Sequence, residues 1–172
     1  MIKLMWQICI LKAKPEKMPY SVPLLLGMFW INFSILFYIV ALASGSLAMG
    51  LWKTLLALSL MTLFTAVSLQ LRRLPERFVQ ALSAMLATQS VILVLCVVPY
   101  ILILSFLSEI DSSIIYIMGL SVCSALLIAA SIWLFAIYSV IYRSALELST
   151  NASYFLTVLL VTLTLLIFKW IH

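Results

Sequence analysis

The sequence predicts an all-α polytopic membrane protein, with about five transmembrane helices after a short N-terminal interfacial helix. Three observations predict it. The 172 residues are 66% hydrophobic and only 9% charged, with a mean hydropathy of +1.28, whereas a soluble domain is about a quarter charged. Too little polar surface exists to coat a globule in water, so the excess apolar surface must meet lipid. The apolar runs also last twenty residues or more without alternation. Only helices and closed barrels span a bilayer, and barrel strands would alternate over about ten residues. Finally, the charges collect between the runs, above all in Arg72-Arg73-Leu74-Pro75-Glu76-Arg77-Phe78.

That cluster fixes the register of the chain. Three arginines and a glutamate cannot rest in hydrocarbon, where a central charge costs roughly 2.5–3.5 kcal/mol on insertion scales. Pro75 lacks an N–H and biases Leu74 away from helix, so the preceding helix is expected to end near Arg72. Arg72, Arg73 and Arg77 read as determinants of topology or contacts to lipid headgroups.

Residues 1–22 form the first region. Met1–Lys12 is apolar with Lys3, Gln7 and Lys12 interspersed, and Trp6 suits an interfacial anchor. The apolar core Leu4–Leu11 is short for a signal peptide and Lys12-Ala13-Lys14-Pro15 is a poor cleavage site. A helix lying in the cytoplasmic interface is expected, with docking to a partner as the competing reading. Pro15, Pro19 and Pro23 make residues 14–23 a linker.

Residues 23–172 form the bundle. Helix one is expected over Pro23–Ala43, with proline in its first turn. An uncharged turn, Ser44–Gly50, leads to helix two, Leu51–Leu71, where Trp52 and Lys53 mark an interface and the lysine can snorkel. Helix three, Phe78–Ser108, has roughly thirty residues against the ~20 that span a bilayer, so tilt, extension or a kink at Pro99 must absorb the surplus. Ser108-Glu109-Ile110-Asp111-Ser112-Ser113 carries two acids and no base. Helix four covers Ile114–Tyr142, and the Arg143–Ser153 loop leads to helix five, Tyr154–Phe168, the shortest.

Alternating spans place Lys3, Lys12, Lys14, Lys17, Arg72, Arg73, Arg77 and Arg143 on one side, against Lys53 and Lys169 on the other. The positive-inside rule then puts the N-terminus in the cytoplasm and the C-terminus opposite. A net charge of +5 is accounted for by this bias, and no nucleic-acid partner is expected. The sequon Asn151-Ala152-Ser153 falls on the inner side and is expected to go unmodified.

The distribution of reactive groups narrows the function. All five acids, Glu16, Glu76, Glu109, Asp111 and Glu147, lie in loops, and the single histidine is His172. Proton relays, ion paths and lipid chemistry need ionisable groups within spans. A Ser–His or Cys–His pair needs a placed base. Cys9, Cys96 and Cys123 are widely spaced with no C-x-x-C, and the four glycines form no phosphate loop. No catalytic residue, cofactor or metal is expected.

What remains is packing chemistry. Ser121, Ala125 and Ala129 fall at four-residue spacing in helix four, with Ala136 seven further on, a small-residue face suited to close helix approach within the bundle or against a partner. Ser83/Ala87 and Ala84/Thr88 offer similar faces in helix three. Asn32 and Gln89 are the most polar side chains inside spans and are expected to make interhelical contacts.

The expected function is therefore a non-enzymatic integral membrane subunit or assembly factor of a larger complex, possessing a lipid bilayer and other membrane subunits as partners. A bacterial inner membrane is the preferred location. The alternative is a small oligomeric channel or transporter for a neutral or lipid-like solute, lined by Asn32, Gln89 and hydroxyls.

Overall fold

The computed structural model describes residues 7–10, 18–108 and 114–170. Five long helices carry the chain: α1 (Val22–Ser44), α2 (Leu47–Leu71), α3 (Phe78–Ser108), α4 (Ile114–Ala145) and α5 (Thr150–Trp170), with a 3-10 turn at Pro75–Arg77. This is an all-α polytopic architecture. Four helices are long and apolar enough to cross a membrane, and the apolar stretch of α5, Thr150–Leu166, is shorter.

Local chemistry sets the helix ends. Ser21 caps α1 by accepting from the Leu24 N–H at 3.4 Å, and Gly45 ends it with φ 63°, the left-handed conformation glycine adopts without a steric cost. Helix α2 starts at Leu47, four residues before the expected Leu51. Gly50 is a helical residue here, not a turn residue. A Cβ at Gly50 would lie 2.7 Å from Ala41 Cα, so glycine lets α1 and α2 approach at backbone distance. Helix α5 also starts early, because Ser149 Oγ accepts from the Ala152 N–H at 3.4 Å and caps a new first turn. Its 21 residues extend about 31 Å at 1.5 Å per residue.

Two helix ends share an unusual cap. At the end of α2, Leu74 N–H donates to Leu69 O and Arg73 N–H to Gln70 O, each at 2.9 Å. At the end of α4, Leu148 N–H donates to Arg143 O at 3.1 Å. Both patterns are those of a Schellman cap, which usually places glycine in the left-handed position. Here that position holds Arg73 (φ 60°) and Glu147 (φ 52°). Helix α3, by contrast, continues through Pro99 over 31 residues.

The polarity is that of a molecule dissolved in lipid. Leu26, Trp30, Leu63, Val98, Ile128 and Phe155 are all exposed, while Asn32, Thr54, Thr65, Thr88 and Thr157 are almost wholly buried. Buried hydroxyls mostly bond the preceding helical turn, as Thr88 Oγ1 does with Ala84 O at 2.8 Å. The helices are apolar around their whole circumference, as buried or membrane-spanning helices are.

Helix α3 is the spine and packs chiefly on α4 and α1. Residues 81–88 are buried without a break. Small side chains at Ala81, Ser83, Ala84 and Ala87 admit neighbours closely on several sides. The N-terminal segment meets this core as well. Ile8 and Cys9 belong to it, and Trp133 Nε1 donates to Cys9 O at 2.9 Å. Trp133 is twelve residues, about 18 Å, from the last residue of α4. Ile8 and Cys9 therefore pack against the bundle. No charge falls between Lys3 and Lys12 to oppose this seat, and the indole N–H satisfies a carbonyl that burial would otherwise strand. Residues 1–6 and 11–17 lie outside the described residues.

Candidate functional site

Polar side chains form separate clusters rather than one path, two within the spans and one between loops. The first clasps α1 to α3. Asn32, fully buried, donates through Nδ2 to Leu86 O at 3.1 Å and to Ser90 Oγ at 3.2 Å. Both amide hydrogens are thereby used. Asn32 Oδ1 is enclosed without a partner. An interhelical bond of this kind is worth about 0.5–2 kcal/mol in a membrane.

The second cluster lies between α3, α4 and α2. Tyr138 OH donates to Gln89 Oε1 at 2.9 Å and approaches Met61 Sδ at 3.8 Å. One helical turn away, the Tyr142 and Thr65 hydroxyls pair at 3.2 Å. Gln89 and Tyr138 border a cavity of about 160 Å³ that Leu36, Met61, Leu134 and Leu160 close with apolar surface. A cavity of this size takes a benzene-sized guest, well below the usual ligand pocket of about 300–1,000 Å³. No acid or base lines it, so its chemistry is limited to hydrogen bonding by the Gln89 amide, the Tyr138 phenol and the Thr164 hydroxyl, the last already donating to Leu160 O at 2.9 Å. Asn32 lies elsewhere; the structure does not bring it together with Gln89.

The third cluster ties two loops at the Arg72 end. Arg77 forms an ion pair with Glu147 at 2.7 Å and donates to Ser144 O at 3.4 Å. Arg72 reaches Glu147 O at 3.5 Å. Glu147 is 65% exposed, so solvent screening keeps this pair below about 1 kcal/mol. Arg72, Arg73 and Arg143 are exposed, and Gln80 Nε2 anchors Met18 O at 3.1 Å at the same end. Of the three arginines expected to face headgroups, Arg77 is thus engaged within the protein, while Arg72 and Arg73 remain on the surface.

The small-residue faces have different fates. Ser83, Ala84, Ala87 and Thr88 of α3 are buried in the core. Ser121, Ala125 and Ala129 of α4 are exposed, and Ala136 is half-buried. Ser121 Oγ already donates to Ile117 O at 2.8 Å. The exposed face therefore offers shape, with its hydroxyl committed to the helix.

Sequence reasoning missed one residue of consequence. Lys53, expected to snorkel, is 7% exposed and borders a cavity of about 510 Å³ at the Gly45 end of the bundle. Its neighbour Trp52 is 56% exposed. The Trp-Lys pair looks like an interfacial anchor in sequence, yet the tryptophan is exposed and the lysine buried.

Among the described residues, no group of His, Cys, Asp or Glu is placed to hold a metal ion. Fold and surface together define a polytopic helical membrane protein. No known family, curated protein or solved structure matches this chain.

Proposed function

We propose that the chain is a non-enzymatic membrane subunit or assembly factor that packs against other membrane proteins through α4. The observation that carries this reading is the exposed stripe Ser121, Ala125 and Ala129. In lipid, helices associate by close packing and not by hydrophobic burial, so small residues at four-residue spacing mark association faces. The equivalent faces of α3, Ser83/Ala87 and Ala84/Thr88, are covered by the bundle. Ala129 also borders a cavity of about 330 Å³ with Leu95, Pro99 and Leu126, a notch suited to a side chain from a neighbouring helix.

The proposed setting is a bacterial inner membrane with the Arg72 end in the cytoplasm. The bases Arg72, Arg73, Arg77 and Arg143 gather at one end, against Lys53 and Lys169 towards the other, the asymmetry that sets orientation. A non-enzymatic role is supported by the position of the acids, all of which fall outside the apolar runs.

Co-purification from native membranes into nanodiscs, at natural expression level, tests the proposal. Stoichiometric membrane proteins of other sequence are expected; a lone chain or a pure homo-oligomer contradicts it. A second reading, a carrier of a small neutral solute, is favoured by the Gln89–Tyr138 cavity alone. It requires that Gln89→Leu abolish solute flux in proteoliposomes.

A further inference from the structure

We propose that the cavity at the Gly45 end is a binding site for an acidic amphiphile, an acyl chain ending in a carboxylate or phosphate, whose anionic oxygen is held by Lys53. The argument begins with the direction of the side chain. Lys53 lies in the second turn of α2, about 9 Å from its start at Leu47. Leu47, Leu51, Trp52 and Leu55 face outward. A lysine at that depth could snorkel from the outward face. Lys53 occupies the inward face and is more than nine-tenths buried.

Among the described residues, the cation has no hydrogen-bond or ion-pair partner. Among the described residues the carboxylates are Glu76 and Glu147, both at the opposite end of the bundle. The fully enclosed orphan atoms of the described residues are Asn32 Oδ1 and Thr54 Oγ1, so Lys53 Nζ opens on the cavity. An ammonium on an inward helix face favours a counter-charge, and ionisable groups inside spans mark ligand sites by default.

The walls select the rest of the ligand. Tyr100 borders the cavity, and its hydroxyl makes no hydrogen bond to another described residue, so it can donate. Ser44 is not a donor to the ligand, because its hydroxyl is committed to Val40 O at 2.8 Å and Ser46 O at 3.1 Å. Ile39, Val40, Ala43, Met49 and Phe168 complete the lining. Two donors against an apolar wall, in about 510 Å³, match a single acidic head with part of an acyl chain and fall within the usual range of ligand pockets.

The test uses the full chain in phosphatidylcholine nanodiscs and native mass spectrometry. Two pairs of probes are added: oleate against oleyl alcohol, and dioleoyl phosphatidylglycerol against dioleoyl phosphatidylcholine. Retention of one acidic molecule per chain is expected, with the neutral partner of that pair released; the pair that responds identifies carboxylate or phosphate as the head. Lys53→Met is expected to weaken retention at least tenfold, Tyr100→Phe severalfold, and Lys53→Arg little. Protection of Lys53 from amine acylation by the same probe, in the unmodified protein, stands independently of how the variants fold. Equal retention of acidic and neutral probes overturns the proposal. So does loss of retention in Arg72→Gln/Arg73→Gln with none in Lys53→Met, which would place the lipid on the surface arginines.

Discussion

Arg73 and Glu147 occupy the left-handed conformation that, where a helix ends in it, is usually filled by glycine, and both close helices at the same end of the bundle. A left-handed conformation costs a residue with a Cβ about 1–2 kcal/mol. Arg73→Gly is therefore expected to raise stability by about 1 kcal/mol, read as a higher midpoint of thermal unfolding in detergent. Glu147→Gly relieves the same strain but removes the carboxylate that pairs with Arg77, so its gain should be smaller, and the difference should shrink with added salt. Within the spans, Tyr138→Phe leaves Gln89 Oε1 without its donor and is expected to cost about 0.5–2 kcal/mol. Asn32 was legible in the sequence as a polar residue in an apolar run. Its partners were not, because a backbone carbonyl at Leu86 and a hydroxyl at Ser90 carry no distinguishing signal. The left-handed caps were equally hidden, since neither position holds the glycine that would announce one.

Helices announce their existence through apolar length and their ends through capping chemistry. Helix α3 spans Phe78–Ser108, the bounds its sequence implies, with Pro75 marking the break before it. The starts of α2 and α5 shifted by four residues each. Gly50 looked like part of a turn and instead serves close packing, and Ser149 capped a turn earlier than the apolar run suggested. Gly50→Ala is expected to destabilise the bundle by about 1–3 kcal/mol, because the clash is with the Ala41 backbone. Gly27→Ala is the matched control. Nothing lies within 4 Å of a Cβ there, so that variant should be neutral or slightly stabilising. Equal effects of the two substitutions would mean that α1 and α2 do not approach as closely as described.

At the scale of the whole molecule, an inverted surface and a polar-bonded interior follow from composition alone. Which faces turn inward does not, because helices apolar around their circumference carry little amphipathic signal. Lys53 illustrates this: its depth could be read, its direction could not. The α4 stripe illustrates the converse, since a small-residue face reads the same whether the bundle covers it or leaves it open. Its exposure is what turns a packing pattern into a proposed interface. The most direct measurement is site-specific photocrosslinking in native membranes, with the probe at Ala125 on the stripe and, separately, at Leu63 on the exposed face of α2. A discrete adduct with another membrane protein from Ala125, and only lipid adducts from Leu63, is the predicted result. Lipid adducts alone from both positions would contradict a subunit role and leave the chain a self-sufficient bundle.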